Sequence, residues 1–143
     1  MRSSRSWTSR SSTWHFSTKP CRRPWASTAK IASFDAYVFV TPEYNHGPSG
    51  ALKNAIDFLF REWNNKAAGF VAYGSAGGVR AVEQSRLVMG EILVADVRAQ
   101  VALSLFTDFE NFTTFKPASS HQKSVTTMLD QVIAWGGALK TLR

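Results

Sequence analysis

The segment Thr41-Pro42-Glu43-Tyr44-Asn45-His46-Gly47-Pro48-Ser49-Gly50 holds the densest set of chemically useful residues in the chain. Two prolines restrict φ and two glycines relax it, so the path is tight and backbone N–H and C=O groups can point outward. Tyr44 offers a flat apolar face and Asn45 an amide donor and acceptor. That combination suits a planar heteroaromatic ligand, held by stacking and by hydrogen bonds to its edge. The same residues also make an ordinary strand-to-helix turn with a helix cap, and composition leaves both readings open. A second loop, Gly74-Ser75-Ala76-Gly77-Gly78, opens a helix. Exposed N–H groups at a helix start favour anions or carbonyl-rich edges. The pattern is neither a P-loop nor G-x-G-x-x-G, and an ordinary turn explains it equally well.

Other chemistries find little support. His15, His46 and His121 are scattered and lack metal-ligand spacing, so no metal site is expected. The lone Cys21 excludes an internal disulfide framework and any multi-cysteine metal site. Ser75 sits in G-S-A-G-G rather than G-x-S-x-G, without an evident Asp/His pair, which argues against a hydrolase. Glu43 has no second acid at the strand ends, which argues against glycosidase chemistry. No side chain is singled out as a catalytic acid or base.

The elements that would carry these loops follow from the apolar pattern. Residues 25–34 read as the last turns of a helix. Residues 34–42 hold the unbroken apolar run Ala36-Tyr37-Val38-Phe39-Val40, stopped by Pro42, which suits a strand buried on both faces. A helix is expected over about 49–63, capped by Ser49, with Leu52, Ile56, Leu59, Phe60 and Trp63 on one face. A second strand is expected at 69–73 and a second helix over about 79–95, with Val82, Met89, Ile92 and Leu93 facing in. A third strand follows at 99–105. The repeat of Phe106, Phe109, Phe112 and Phe115 predicts a turn or short helical piece, and a last helix is expected over about 120–141, with Val125, Leu129, Val132, Leu139 and Leu142 on one face. The alternation predicts an α/β protein with a parallel sheet and helices on both faces. Ligands of such sheets bind at the carboxyl ends of the strands, where both loops fall.

The 143 residues set a prior of one domain, and the 44% apolar fraction suits a globular chain. No apolar stretch reaches membrane-span length. The formal charge of +7 is distributed unevenly. Residues 1–30 carry Arg2, Arg5, Arg10, Lys19, Arg22, Arg23 and Lys30 with no acid, whereas ten basic and ten acidic residues cancel over 31–143. Residues 1–24 are therefore set apart as a basic, Ser/Arg-rich tail, expected to be disordered, and 25–143 as the domain. Three readings of the tail compete: an organelle targeting segment, an arm that grips phosphate backbones, or a replaced or misread start. The neutral body makes nucleic acid a poor partner, and salt-sensitive DNA binding that vanishes on deleting 1–24 would be needed to support it. No secretory signal pattern is present, which makes a cytoplasmic body the default.

The stretch TPEYNHGPSGALKNAIDFL at 41–59 resembles the signature of the NADPH-dependent FMN reductases, a flavodoxin-like family that includes quinone, azo-dye and chromate reductases. NKAAGFVAYGSAGGVRA at 65–81 is similar to the family's second flavin loop, and 82–143 resembles its final strand and helices. The resemblance implies FMN and NADPH as cofactors. It implies that Pro42, Glu43, Tyr44 and Asn45 wrap the isoalloxazine ring, largely through backbone groups. It implies that Gly74, Ser75, Gly77 and Gly78 contact its pyrimidine side. The implied activity is hydride passage from NAD(P)H through flavin to a quinone-like or other small acceptor, in a dimer or tetramer.

The chain departs from the family at its start. Members usually open with a strand and a phosphate loop resembling G-S-x-R-x-x-S, then a helix and a second strand, before the strand that here begins at Phe34. Residues 1–33 contain no apolar strand and no glycine. The expected sheet is therefore truncated, with about three strands of the five in the flavodoxin-like order 2-1-3-4-5. That loss exposes an apolar edge at Ala36–Val40 and removes a wall of the crevice where the FMN phosphate sits. The alternative function is a non-catalytic, truncated flavodoxin-like fragment that binds FMN weakly or not at all.

Overall fold

The computed structural model describes residues 28–143. The tail at 1–24 and Cys21 lie outside them. A short helix, α1 (Thr28–Ala32), leads into strand β1 (Ala36–Pro42). Helix α2 (Gly50–Asp57), strand β2 (Lys66–Gly74), helix α3 (Val79–Glu91) and strand β3 (Val94–Ser104) follow. Two short strands, β4 (Phe109–Glu110) and β5 (Thr114–Phe115), form a hairpin before helix α4 (His121–Leu139) and a final turn, Lys140–Leu142. The sheet order is β1-β2-β3, with both pairings parallel. The expected α/β architecture is the observed one.

The core lies on both faces of this sheet. On one face Phe39, Ile56, Trp63, Phe70, Val82 and Met89 pack between the strands and helices α2 and α3. On the other, Val97, Val101, Met128 and Val132 pack under α4. Gly69 is where α4 comes closest. A Cβ there would lie 2.8 Å from Val132 Cγ2 and 2.9 Å from Met128 Cγ. Gly69→Ala is expected to cost about 2 kcal/mol by overpacking. A lowered urea midpoint with an unchanged slope checks this.

Several boundaries differ from expectation, each for a tertiary reason. Helix α2 stops at Asp57, not near residue 63. Residues 58–65 turn back so that Trp63 enters the core, where its Nε1–H donates to Ile56 O at 3.0 Å. Strand β2 starts at Lys66, three residues early. Lys66 is buried, and its Nζ donates to the α1 carbonyls of Ile31 (2.8 Å) and Ala32 (2.9 Å) and to Tyr37 Oη (3.0 Å). Burial lowers the lysine pKa and pushes the Tyr37 phenol up to about 12. Strand β3 starts at Val94 and bulges after Asp96, where the Arg86 guanidinium binds Asp96 and donates to Val97 O at 2.9 Å. Leu93, expected inside, takes a left-handed φ of 57° and is exposed. In α4, Met128 fills the core while Leu129 lies at the rim, and Leu142, in the final turn, is exposed.

The phenylalanine-rich stretch is not helical. Asn111 (φ 52°) and Phe112 (φ 58°) form the tight turn of the β4–β5 hairpin. They are the central residues of a turn in which Thr113 N–H donates to Glu110 O at 3.1 Å, and three residues link the paired strands. The hairpin presents Phe106 and Phe112 edge to face, with ring centroids 5.7 Å apart and both rings exposed.

Candidate functional site

Both singled-out loops emerge at the carboxyl end of the sheet and touch each other. Glu43 N–H donates to Tyr73 O at 3.0 Å, which extends the β1–β2 ladder by one residue. Tyr44 and Gly47 then exchange two backbone bonds, each 3.0 Å, closing a four-residue turn. Asn45 (φ 49°) and His46 (φ 67°) fill its left-handed corners. Asparagine tolerates that region and histidine less so. Thr41, fully buried, accepts from Ser49 N–H at 3.4 Å and ties the two ends of the loop together. Ser49 Oγ in turn caps α2 by accepting from Leu52 N–H at 3.2 Å.

The second loop is held by its glycines from below. Gly74 O accepts from Gly77 N–H and from Leu105 N–H, both at 3.0 Å, so the turns after β2 and β3 are joined. Gly77 (φ 69°) and Gly78 (φ 71°) are left-handed and buried against Ala102 and Ala72. Ser75 and Ala76 stand exposed at the tip. Among the described residues, the N–H groups of Asn45, His46, Ser75 and Ala76 find no acceptor.

The Glu43 side chain turns inward rather than toward this surface. Only 4% of it is exposed. One carboxylate oxygen accepts from Arg80 N–H at 3.1 Å, and the other pairs with the Arg80 guanidinium. Helix α3 has no side-chain cap of its own at Gly78, so Glu43 serves as its acceptor from the neighbouring loop. Burial pushes the Glu43 carboxyl up, but the Arg80 hydrogen bond and charge, with N–H groups of Arg80 and Ala81, outweigh this and hold it below its ordinary value. The Arg80 guanidinium also reaches His46 Nε2 at 2.8 Å. Glu43→Ala is expected to cost about 2 kcal/mol through lost capping and an unpaired arginine, checked by chemical denaturation.

The eight residues singled out from sequence thus divide. Tyr44, Asn45 and Ser75 are exposed and can meet a ligand directly, while Pro42, Gly74, Gly77 and Gly78 shape the backbone beneath. Glu43 couples the two loops. Sequence reasoning missed Arg80 and Ala76. The signal for Arg80 was a single acid in the first loop and a base directly after Gly77-Gly78-Val79. The arrangement offers one exposed aromatic face and, in the two joined loops, N–H groups without an acceptor among the described residues.

A three-stranded parallel sheet with helices on both faces and two such loops at its carboxyl end defines a flavodoxin-like protein. A family model described as NADPH-dependent FMN reductase matches residues 23–108, and the chain belongs to that family. It is 40% identical over 95 residues to an NAD(P)H-dependent FMN reductase of Nectria sp, covering 64% of this chain and 46% of the relative. It is 42% identical over 86 residues to an NAD(P)H-dependent FMN reductase of Schizosaccharomyces pombe, covering 60% of this chain and 42% of the relative. The chain therefore spans less than half the length of these curated relatives. Among solved structures, the flavoenzyme NAD(P)H:(acceptor) oxidoreductase FerB from Paracoccus denitrificans superposes with a TM-score of 0.57 at 20% identity, covering 80% of this chain and 65% of that one, a likeness of fold. Among the described residues, no helix is long and apolar enough to cross a membrane.

Proposed function

We propose that residues 42–45 and 74–78 form the ring-binding half of an FMN site in an NAD(P)H oxidoreductase that reduces quinone-like acceptors. The observation that carries this reading is the junction of the two loops. Tyr44 supplies an exposed aromatic face, and the N–H groups of Asn45, His46, Ser75 and Ala76 in the two joined loops find no acceptor among the described residues. Such donors suit the carbonyl-rich edge of an isoalloxazine. The residues present fit the ring: Gly77 and Gly78 lie against Ala102 and Ala72 with no room for a Cβ, and Tyr44 presents an exposed aromatic side chain. When bound, FMN supplies hydride chemistry between NAD(P)H and the acceptor. The protein's part is to orient the ring and hold hydrogen bonds to its edge, with Glu43 and Arg80 fixing one loop against the other. The names of relatives support a small acceptor: a quinone reductase of Pseudomonas putida and a 2-hydroxy-1,4-benzoquinone reductase of Burkholderia sp are among them. A cytoplasmic setting and a dimer or tetramer belong to this reading. The exposed Phe106 and Phe112 are suited to a subunit contact.

A second reading, a fragment that holds FMN weakly and does not turn over, is favoured by one observation: among the described residues no strand pairs with the outer edge of β1, and Val38 and Val40 are exposed. Flavin titration of the purified chain separates the two. Near-stoichiometric quenching of FMN fluorescence, with NADPH oxidation that depends on an added quinone, is the result expected of the oxidoreductase. Absence of quenching at high FMN would leave the fragment reading standing.

A further inference from the structure

Asp108 and His121 form a carboxylate–imidazole pair that the flavin loops do not use. The Asp108 side chain is 2% exposed and that of His121 22%. His121 Nε2 stands 2.7 Å from Asp108 Oδ1. The Asp108 carboxyl is held below its ordinary value, so near neutrality it is ionised and only accepts. The bond therefore places a proton on Nε2, and the neutral ring presents Nδ1 as an acceptor. Among the described residues Nδ1 has no hydrogen-bond partner, and it is not sealed from solvent.

His121 also lines a cavity of about 360 Å³ on the α4 side of the sheet, over β2 and β3. The sheet contributes Val71, Val101 and Leu103 to it, and the hairpin and α4 contribute Phe115 and Val125. No aspartate, glutamate, lysine or arginine is in its walls. None of residues 42–45 or 74–78 reaches it, so it is separate from the two flavin loops. Apolar walls with one oriented polar group, at this volume, are the usual make-up of a small-molecule site.

We propose that this cavity is a second small-molecule site, which takes an uncharged hydroxylated aromatic of one or two rings. The ligand's hydroxyl donates to His121 Nδ1, and its rings lie among the valines, Leu103 and Phe115. The ligand class follows from the walls. Apolar side chains and a phenylalanine ring favour an aromatic body. A single fixed acceptor selects a ligand that can donate. An anion would stand near the Asp108 carboxylate with no lysine or arginine in the walls to pair it, and a cation would find no acid there. Asp108 is a positioning residue: it fixes the tautomer and the orientation of His121 without touching the ligand. The site stands whether or not the flavin loops hold FMN, and its test uses no flavin.

The full chain is titrated with 2-naphthol, 2-methoxynaphthalene and 2-naphthoate, and binding is followed by NMR shifts of the backbone amides and of the histidine ring nitrogens. Saturable binding of 2-naphthol is expected, moving the amides of 101, 103, 115 and 118–125 and the Nδ1 resonance of His121. The methyl ether keeps the rings but cannot donate, and the naphthoate carries a charge. Each is expected to bind about tenfold more weakly. Ser119 is exposed in the cavity wall and its side chain is outside the Asp108–His121 pair, so Ser119→Phe is expected to block 2-naphthol while leaving the fold intact. His121→Phe keeps the walls apolar. It is expected to weaken 2-naphthol about tenfold and to leave the ether unchanged, a contrast that a merely disturbed fold would not give. The assignment is overturned by absence of saturation, by the ether or the naphthoate binding as tightly as 2-naphthol, by an Nδ1 resonance that stays still, or by shifts confined to 42–46 and 74–78.

Discussion

Replacing Asp108 with alanine is expected to destabilise the protein by about 3 kcal/mol. Asp108 is 2% exposed and gathers four donors. Oδ2 accepts from Ser104 N–H at 2.8 Å and from Thr107 Oγ1–H at 3.3 Å; Oδ1 accepts from Ala118 N–H at 3.1 Å and bonds His121 Nε2 at 2.7 Å. These bonds close the whole 104–121 segment, hairpin included, onto the start of α4. Alanine would strand the buried donors without water to replace the carboxylate. Burial pushes the Asp108 carboxyl up, but the N–H groups of Ala118 and Ser104 and the His121 bond outweigh it and hold the carboxyl below its ordinary value. The sign follows from linkage. The unfolded chain takes up the proton first as pH falls, so the stability from Asp108 is complete near neutrality. It fades from about pH 4 downward, through the lower folded value. Denaturant midpoints between neutral and acid pH should show this slope in the parent. A shallower slope is expected in Asp108→Ala, and an unchanged slope would refute the assignment.

Gly78→Ala is expected to be nearly as costly, and to act on the site directly. Gly78 has a φ of 71°, where an L-residue pays roughly 1 kcal/mol or more. Its added Cβ would stand 2.6 Å from Ala72 Cβ and 2.8 Å from Tyr73 N. Both neighbours belong to a central strand and cannot rotate away, so the loop must lift. Conformation and overpacking together give about 3 kcal/mol. Lifting the loop also displaces the N–H groups of Ser75 and Ala76 and the start of α3 capped by Glu43. FMN affinity is therefore expected to fall more than tenfold, well beyond any effect of Ser75→Ala. Gly50→Ala serves as the control, since a Cβ at Gly50 meets nothing within 4 Å. Equal flavin affinity in Gly78→Ala and the parent would show that the loop does not meet the ring.

Much of the fold was legible because the signals were local. The apolar run Ala36–Val40 ends at Pro42, the α2 face repeats at helical spacing, and Gly77-Gly78 stop β2 before α3. The site loops were legible through residue types: proline, glycine and an Asx residue fix a turn wherever they occur. The PEYN and LKNAID segments carried the family on their own. What escaped were long-range pairings. Lys66 reads as a polar break between helix and strand, yet it begins β2 because α1 offers it two carbonyls. The phenylalanine spacing left a turn or a short helical piece open, and Asp108 with the turn at Asn111–Phe112 decides for turns within a hairpin. The resemblance placed Glu43 in a turn that acts largely through its backbone, and nothing in its spacing showed that its side chain caps a helix contributed by the other loop.

The sequence by itself determined the parallel α/β order, the two loops at the strand ends and the family, because each depends on neighbours within a few residues. Only the tertiary structure decided which of those loop residues face outward, that Arg80 ties the loops together, and that among the described residues the outer edge of β1 pairs with no strand. These depend on which groups meet across the sheet. A buried carboxylate, an unpaired edge and an exposed valine are properties of neighbours brought together by folding, and residue spacing along the chain does not encode them.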